Sequence, residues 1–296
     1  MKNTKTLITE GPRPFVTKLI VRNYYDIINT WESRRHRKGL EATFLKDFKS
    51  VRIAFSNGFK KVATLNWWIS ILFAFGASLF MFGSILSLWT RLALFLNLNP
   101  TEVNFVFFLG SIPFTSAAFL QLLQTYLASK KLLKSIKSHS ERKGYNLSSL
   151  GYLSALFQFV GTLLFNVNTY NATKSNLSTS QSDVWIWTPD VVGSIFFLIS
   201  GYLAFIEVGH SYWKWETKNM SWWVVFINLI GCIAFMTSAI FAFIPQGGAN
   251  NFSLEISLLF TLTGAFCFFI GALTMLPEMG VEKIKPRDDV NSTNIN

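Results

Sequence analysis

NWWISILFAFGASLFMFGSILSLW, residues 66–89, runs for 24 residues without an Asp, Glu, Lys or Arg. At 1.5 Å per residue an α-helix of that length crosses the ~30 Å hydrocarbon core of a bilayer. Five comparable stretches follow, at 103–128, 147–167, 185–208, 221–244 and 254–276. Backbone groups in hydrocarbon must satisfy one another, and the alternation of a membrane barrel strand is missing, so the stretches read as helices. The expected fold is all-α, a polytopic membrane protein of six transmembrane helices. The composition agrees, with 50% hydrophobic and only 15% charged residues among 296.

Loop charges give an orientation. Of 27 Lys and Arg, 25 lie before the first span, in the 129–146 and 209–220 loops, or after the last span, leaving Arg91 and Lys174 on the other side. The positive-inside rule puts both termini in the cytoplasm. The first sixty residues contain no apolar signal-peptide core, so the first span is expected to serve as the insertion signal. Trp67, Trp68, Trp89, Trp185, Trp187, Trp222 and Trp223 fall at span ends and read as interface anchors.

The spans also repeat. Gly76, Gly161 and Gly231 of the odd spans each follow an aromatic residue by nine places, and Gly110, Gly193 and Gly264 of the even spans each precede a Phe by four. Within successive pairs these glycines stand 34, 32 and 33 residues apart, which reads as three parallel copies of one helical hairpin. Since lipid solvates Leu as well as another helix does, small residues mark where helices pack closely, and the six glycines are assigned to helix packing.

The runs Gly110-Ser111-Ile112-Pro113-Phe114-Thr115-Ser116-Ala117-Ala118-Phe119-Leu120-Gln121, Gly161-Thr162-Leu163-Leu164-Phe165-Asn166-Val167-Asn168-Thr169, Pro189-Asp190-Val191-Val192-Gly193-Ser194 and Asn228-Leu229-Ile230-Gly231 carry a resemblance. They are similar to uncharacterised bacterial six-helix membrane proteins, and each hairpin resembles the YrhK-like membrane domain. The resemblance covers about residues 64–278 and implies a bacterial inner-membrane setting without implying an activity. Pro113 departs from that pattern and is expected to kink its helix.

Polar residues follow the repeat as well. Fourteen places after the even-span glycines come Gln124, Glu207 and Glu278, which with His210 form a candidate polar set at the cytoplasmic mouth. Phe73, Gln158 and Asn228 precede the odd-span glycines by three, and Gly83, Asn168 and Ser238 follow them by seven. Interhelical hydrogen bonding is the expected role of such residues, a solute path the alternative. Glu207 is expected to pair with His210 or a basic arm residue. Pro277 is expected to end the last helix and leave Glu278 at the interface. Asp190, after Pro189, reads as first-turn helix chemistry.

Residues 1–63 form a basic arm. Phe44, Phe48, Val51, Phe55 and Phe59 make residues 44–59 an amphipathic interfacial helix flanked by Lys46, Lys49 and Arg52. Together with Arg34, Arg35, Arg37 and Lys38, these bases are expected to contact anionic lipid headgroups. A nucleic-acid role is not expected, and neither is a homo-oligomer specified. Residues 279–296 read as a polar tail. Two Cys inside spans and three scattered His make neither a disulfide framework nor a metal site, so no cofactor is implied. Without a phosphate loop, a catalytic triad, HExxH or CxxC, the expectation is a non-enzymatic scaffold, sensor or lipid-organising protein, with a small-solute or cation/proton transporter as the alternative.

Overall fold

The computed structural model describes residues 6–22, 27–40, 48–137, 149–243 and 251–280. Six helices are long and apolar enough to cross a membrane. They are α3 (Leu65–Leu88), α5 (Pro100–Lys137), α6 (Ser149–Ala172), α8 (Thr188–Gly209) with its preceding helical turns, α9 (Met220–Phe241) and α10 (Asn251–Gly280). The short α4 (Thr90–Phe95) follows α3. Each spanning helix packs against its neighbours in sequence, and α10 closes on α3, so the six form a ring. Helix α5 runs through Pro113 without interruption, and α10 runs through Pro277 to Gly280 rather than ending before Glu278.

Glycine pairs bring the helices together. A Cβ on Gly76 would lie 2.8 Å from the Gly110 carbonyl oxygen, one on Gly161 would lie 3.1 Å from that of Gly193, and one on Gly264 would lie 3.1 Å from that of Gly231. Side chains there would push the backbones apart. Four residues beyond the glycines stand Phe80, Phe114, Phe165, Phe197, Phe235 and Phe268, which meet at the middle of the ring. Phe114 and Phe268 lie 5.5 Å apart, Phe197 and Phe268 5.7 Å, Phe165 and Phe197 4.9 Å, and Phe80 and Phe235 6.3 Å between ring centroids. These mostly edge-on contacts make an aromatic septum across the ring.

The arm departs from the all-α expectation. Strands β1 (Thr6–Glu10), β2 (Lys18–Arg22) and β3 (Ile27–Glu32) form an antiparallel sheet in sequence order. It leads directly into α1 (Ser33–Lys38), which stops at Gly39 in a left-handed conformation, φ 63°. Helix α2 (Phe48–Phe59) follows. Helix covers 48–59 of the stretch expected to be interfacial, while residues 44–47, with Phe44 and Lys46, lie outside the described residues. Ala54 and Gly58 of α2 are buried against α10, so closely that a Cβ on Gly58 would overlap the Leu276 carbonyl and one on Gly280 that of Ala54. Helix α2 is therefore seated on a spanning helix by its small-residue face, with Ile53, Phe55 and Phe59 exposed on the others.

Candidate functional site at the arm junction

Helix α1 is six residues long, and its bases are spaced so that Arg34, Arg37 and Lys38 fall on one face, at i, i+3 and i+4. That face enters the end of the ring where the even helices finish. Arg37 Nη2 donates to Glu207 Oε2 at 2.6 Å, and Ser33 Oγ donates to Glu207 Oε1 at 2.6 Å. Arg34 straddles Glu278, with Nε to Oε1 at 2.8 Å and Nη2 to Oε2 at 3.2 Å, while Lys38 Nζ reaches Glu278 Oε2 at 2.9 Å. Gln124, the third carboxylate or amide of the candidate polar set, joins through a relay. Gln124 Nε2 donates to Asn66 Oδ1 at 2.8 Å, and Asn66 Nδ2 donates to the Lys38 carbonyl at 2.7 Å.

Glu207 is fully buried and Glu278 is 2% exposed. Neither snorkels to water, and neither lines an open mouth. An unpaired carboxylate at such a place would be costly, and paired, hydrogen-bonded guanidinium and ammonium groups offset that cost. Burial and the neighbouring Arg34 guanidinium pull the Lys38 ammonium down to about 7, against the upward pull of Glu278. Gly151 of α6 leaves the room: a Cβ there would sit 2.7 Å from Glu207 Oε1 and 2.8 Å from Arg37 Nε.

The lipid-contact assignment of the basic run is thus corrected. Arg34, Arg37 and Lys38 are buried in the protein, and Arg35 pairs with Glu32 at 3.0 Å. Lys49 and Arg52 stay exposed on α2, and Lys46 lies outside the described residues. His210 does not pair with Glu207. It ends α8 in a left-handed conformation, and its Nδ1 lies 2.9 Å from Thr17 Oγ1 in the arm, where burial pushes the imidazole down to about 4. Around it the 210–219 loop closes on the arm. Tyr212 Oη donates to the Arg13 carbonyl at 3.0 Å, and Trp222 donates to the Lys214 carbonyl at 2.9 Å. Trp222 is fully buried and stacks on Phe226 at 4.5 Å, so it is a core residue and not an interface anchor.

Two polar cavities flank the aromatic septum. One of about 50 Å³, on the arm side, lies under Arg34 and Lys38 and is walled by Gln121, Gln158, Ser154, Ser200 and Asn228. Gln121 Nε2 donates to Gln158 Oε1 at 2.9 Å, and Asn228 Oδ1 has no hydrogen-bond partner among the described residues. The other, of about 170 Å³, lies on the far side, among Asn104, Asn168, Thr169, Asp190, Ser238 and Thr261. Phe73, Gln158 and Asn228, each three places before a glycine, therefore converge at the first cavity, and Asn168 and Ser238, each seven places after one, at the second. Among the described residues no group of His, Cys, Asp and Glu is arranged to hold a metal ion. Comparison with protein-family models, curated proteins and solved structures finds no match for this chain.

Proposed function

We propose that this chain is a non-enzymatic sensor or scaffold of the membrane, in which three parallel copies of one helical hairpin form the bundle and the arm is a lock on its cytoplasmic mouth. The observation that carries the reading is the burial of Arg34, Arg37 and Lys38 against Glu207 and Glu278, carboxylates at the same place in two of the copies. Buried ion pairs add little net stability over apolar contacts, but breaking one is costly, so they fix a register and make a two-state contact. A helix held by such pairs either sits in the mouth or leaves it. Loop charge supports the cytoplasmic placement of the arm. The matching glycine contacts in all three helix pairs support the repeat. The resemblance to the YrhK-like domain adds nothing to the reading, because no comparison carries it.

Pulsed electron paramagnetic resonance tests the lock, with spin labels at exposed Thr9 of the arm and exposed Lys218 of the bundle loop. A docked arm gives one narrow distance distribution in liposomes, and Glu207→Gln with Glu278→Gln adds a longer component. A broad distribution in the wild type, or an unchanged one in the double variant, defeats the reading. The second reading, a path for a small cation, draws on the polar cavities to either side of the septum. Flux of protons or monovalent cations into liposomes would favour it over the sensor.

A further inference from the structure

The sequence reads Asp190 as a first-turn carboxylate, and it does stand in the first turn of α8, but the structure adds that this helix does not begin freely there. Helix continues upstream through α7 (Thr179–Ser182) and a π-helical turn at Asp183–Trp187, so the helical run spans Thr179–Gly209. The Thr188 backbone N–H and its hydroxyl both reach back five residues to the Asp183 carbonyl. The wide turn ends just before Pro189, which has no N–H to give the ladder. Asp190 is therefore inside a helix, three residues or roughly 4.5 Å along the axis from Gly193 at the level of the septum. A carboxylate at that depth of a spanning helix marks a functional site by default.

Its surroundings are specific. Asp190 and the Asn168 side chain both face the 170 Å³ cavity, and among the described residues its wall contains no Lys, Arg or His. The other polar groups are neutral oxygen bearers from four more helices. Asn104 belongs to α5, Thr169 to α6 beside Asn168, Ser238 to α9 and Thr261 to α10, with Ser238 and Thr261 oxygens 2.7 Å apart. Phe80, Phe107, Phe165 and Phe235 complete the wall. One negative charge, several hydroxyl and amide oxygens and an aromatic floor suit a single positive charge of small radius. Two carboxylates would be needed to favour a divalent ion, and beside a neutral solute the carboxylate would have to take up a proton, so a bound cation is expected where the group is ionised.

We infer that the cavity around Asp190 is a binding site for a small monovalent cation, held by the Asp190 carboxylate and neutral oxygens of Asn168, Thr169, Ser238 and Thr261. The inference stands apart from the arm lock, since it concerns the other side of the septum and holds whether or not the arm moves. For a sensor the site supplies the signal; for a transporter it supplies the bound state.

Radioactive sodium and rubidium binding to the purified full chain in detergent, at pH 8 and constant ionic strength made up with choline chloride, tests it. The expected result is saturable binding of one of the two ions, one per chain, with a rise in Tm of several degrees over choline. Asp190→Asn abolishes both, while Thr261→Val, which keeps the side-chain shape, weakens binding about tenfold and folds normally. No saturable binding of either ion to the wild type, or binding that Thr261→Val and Asp190→Asn both leave intact, overturns the inference.

Discussion

Arg37 and Glu207, 170 residues apart in sequence, meet at 2.6 Å with their side chains 5% and 0% exposed. Removing one partner strands the other in a dry site, so Arg37→Met and Glu207→Leu should each cost about 3 kcal/mol of stability. Replacing both, with Arg37→Met and Glu207→Leu, should cost much less than the sum, because neither charge is left behind. Thermal unfolding of the four proteins in one detergent closes the cycle. Additive losses would mean that the two side chains act independently.

Gly151 and Gly209 offer a matched pair. A methyl at Gly151 would press on Glu207 and Arg37, whereas one at Gly209 would meet the Lys214 Cβ at an ordinary 3.6 Å. Gly151→Ala should therefore destabilise by about 1–3 kcal/mol and loosen the arm to limited proteolysis. Gly209→Ala should be neutral or stabilise by up to about 1 kcal/mol through helix propensity. Equal behaviour of the two variants would show that α1 does not fit against α6 as described.

The six spans were legible because a bilayer leaves the sequence little choice: a run such as Leu65–Leu88 satisfies its backbone and its solvent only as a helix. The convergence of Gln124, Glu207 and Glu278 was legible too, since a fixed place after each even-helix glycine fixes a common depth. A basic arm residue as partner of Glu207 was legible, and Arg37 is that residue, but the burial of Arg34 and Lys38 on Glu278 was not, because a basic run reads the same whether anionic lipid or buried carboxylates answer it. Their i, i+3, i+4 spacing was the available signal. The sheet was missed although Leu7-Ile8 and Leu19-Ile20-Val21 are short apolar runs, rich in β-branched residues and bounded by polar ones, in β1 and β2. Asp190 keeps its expected first-turn place in α8, and what the sequence did not show is the π turn that carries helix upstream of it.

Stability should rise with pH in two windows. His210 titrates at about 4 in the folded chain against an ordinary 6.5, so the unfolded chain binds the extra proton between those values. Stability present above pH 6.5 is then lost as pH falls toward 4, with a slope approaching ~1.4 kcal/mol per pH unit. Lys38, pulled from 10.5 to about 7, acts in the same direction at higher pH: its contribution is complete above 10.5 and lost as pH falls through 7. Chemical denaturation across pH 4–10 measures both. His210→Asn should flatten the lower window alone and Lys38→Met the upper alone; a wild type whose stability falls as pH rises from 4.5 to 6.5 contradicts the burial of His210.

Orientation has its own check. Single cysteines at exposed Ser180, near the far end, and at exposed Lys130, near the arm end, in a chain with Cys232 and Cys267 replaced, should divide under an impermeant thiol reagent applied to intact cells. Position 180 should react and position 130 should not, following the imbalance of 25 against 2 basic residues. The reverse pattern would place the arm outside.

Phe268 holds the septum, touching Phe114, Phe197 and Phe235 at 5.5, 5.7 and 5.5 Å. Cutting it to Ala removes most of that contact in a ring closed by glycine pairs, which cannot collapse to fill the space without separating Gly231 from Gly264. A loss of about 3 kcal/mol is expected, with Phe268→Leu costing less than half of it. The vacated volume lies between the two polar cavities, so water should pass where aromatic rings had met. Cys232 reports on this, since its buried thiol lines the arm-side cavity under the docked arm. In a Cys267→Ser background, a small methanethiosulfonate should leave Cys232 of the parent almost untouched, label it rapidly in Phe268→Ala and slowly in Phe268→Leu. Labelling of the parent as fast as of Phe268→Ala would mean that the rings do not separate the cavities, and the seal would have to be sought in the arm alone.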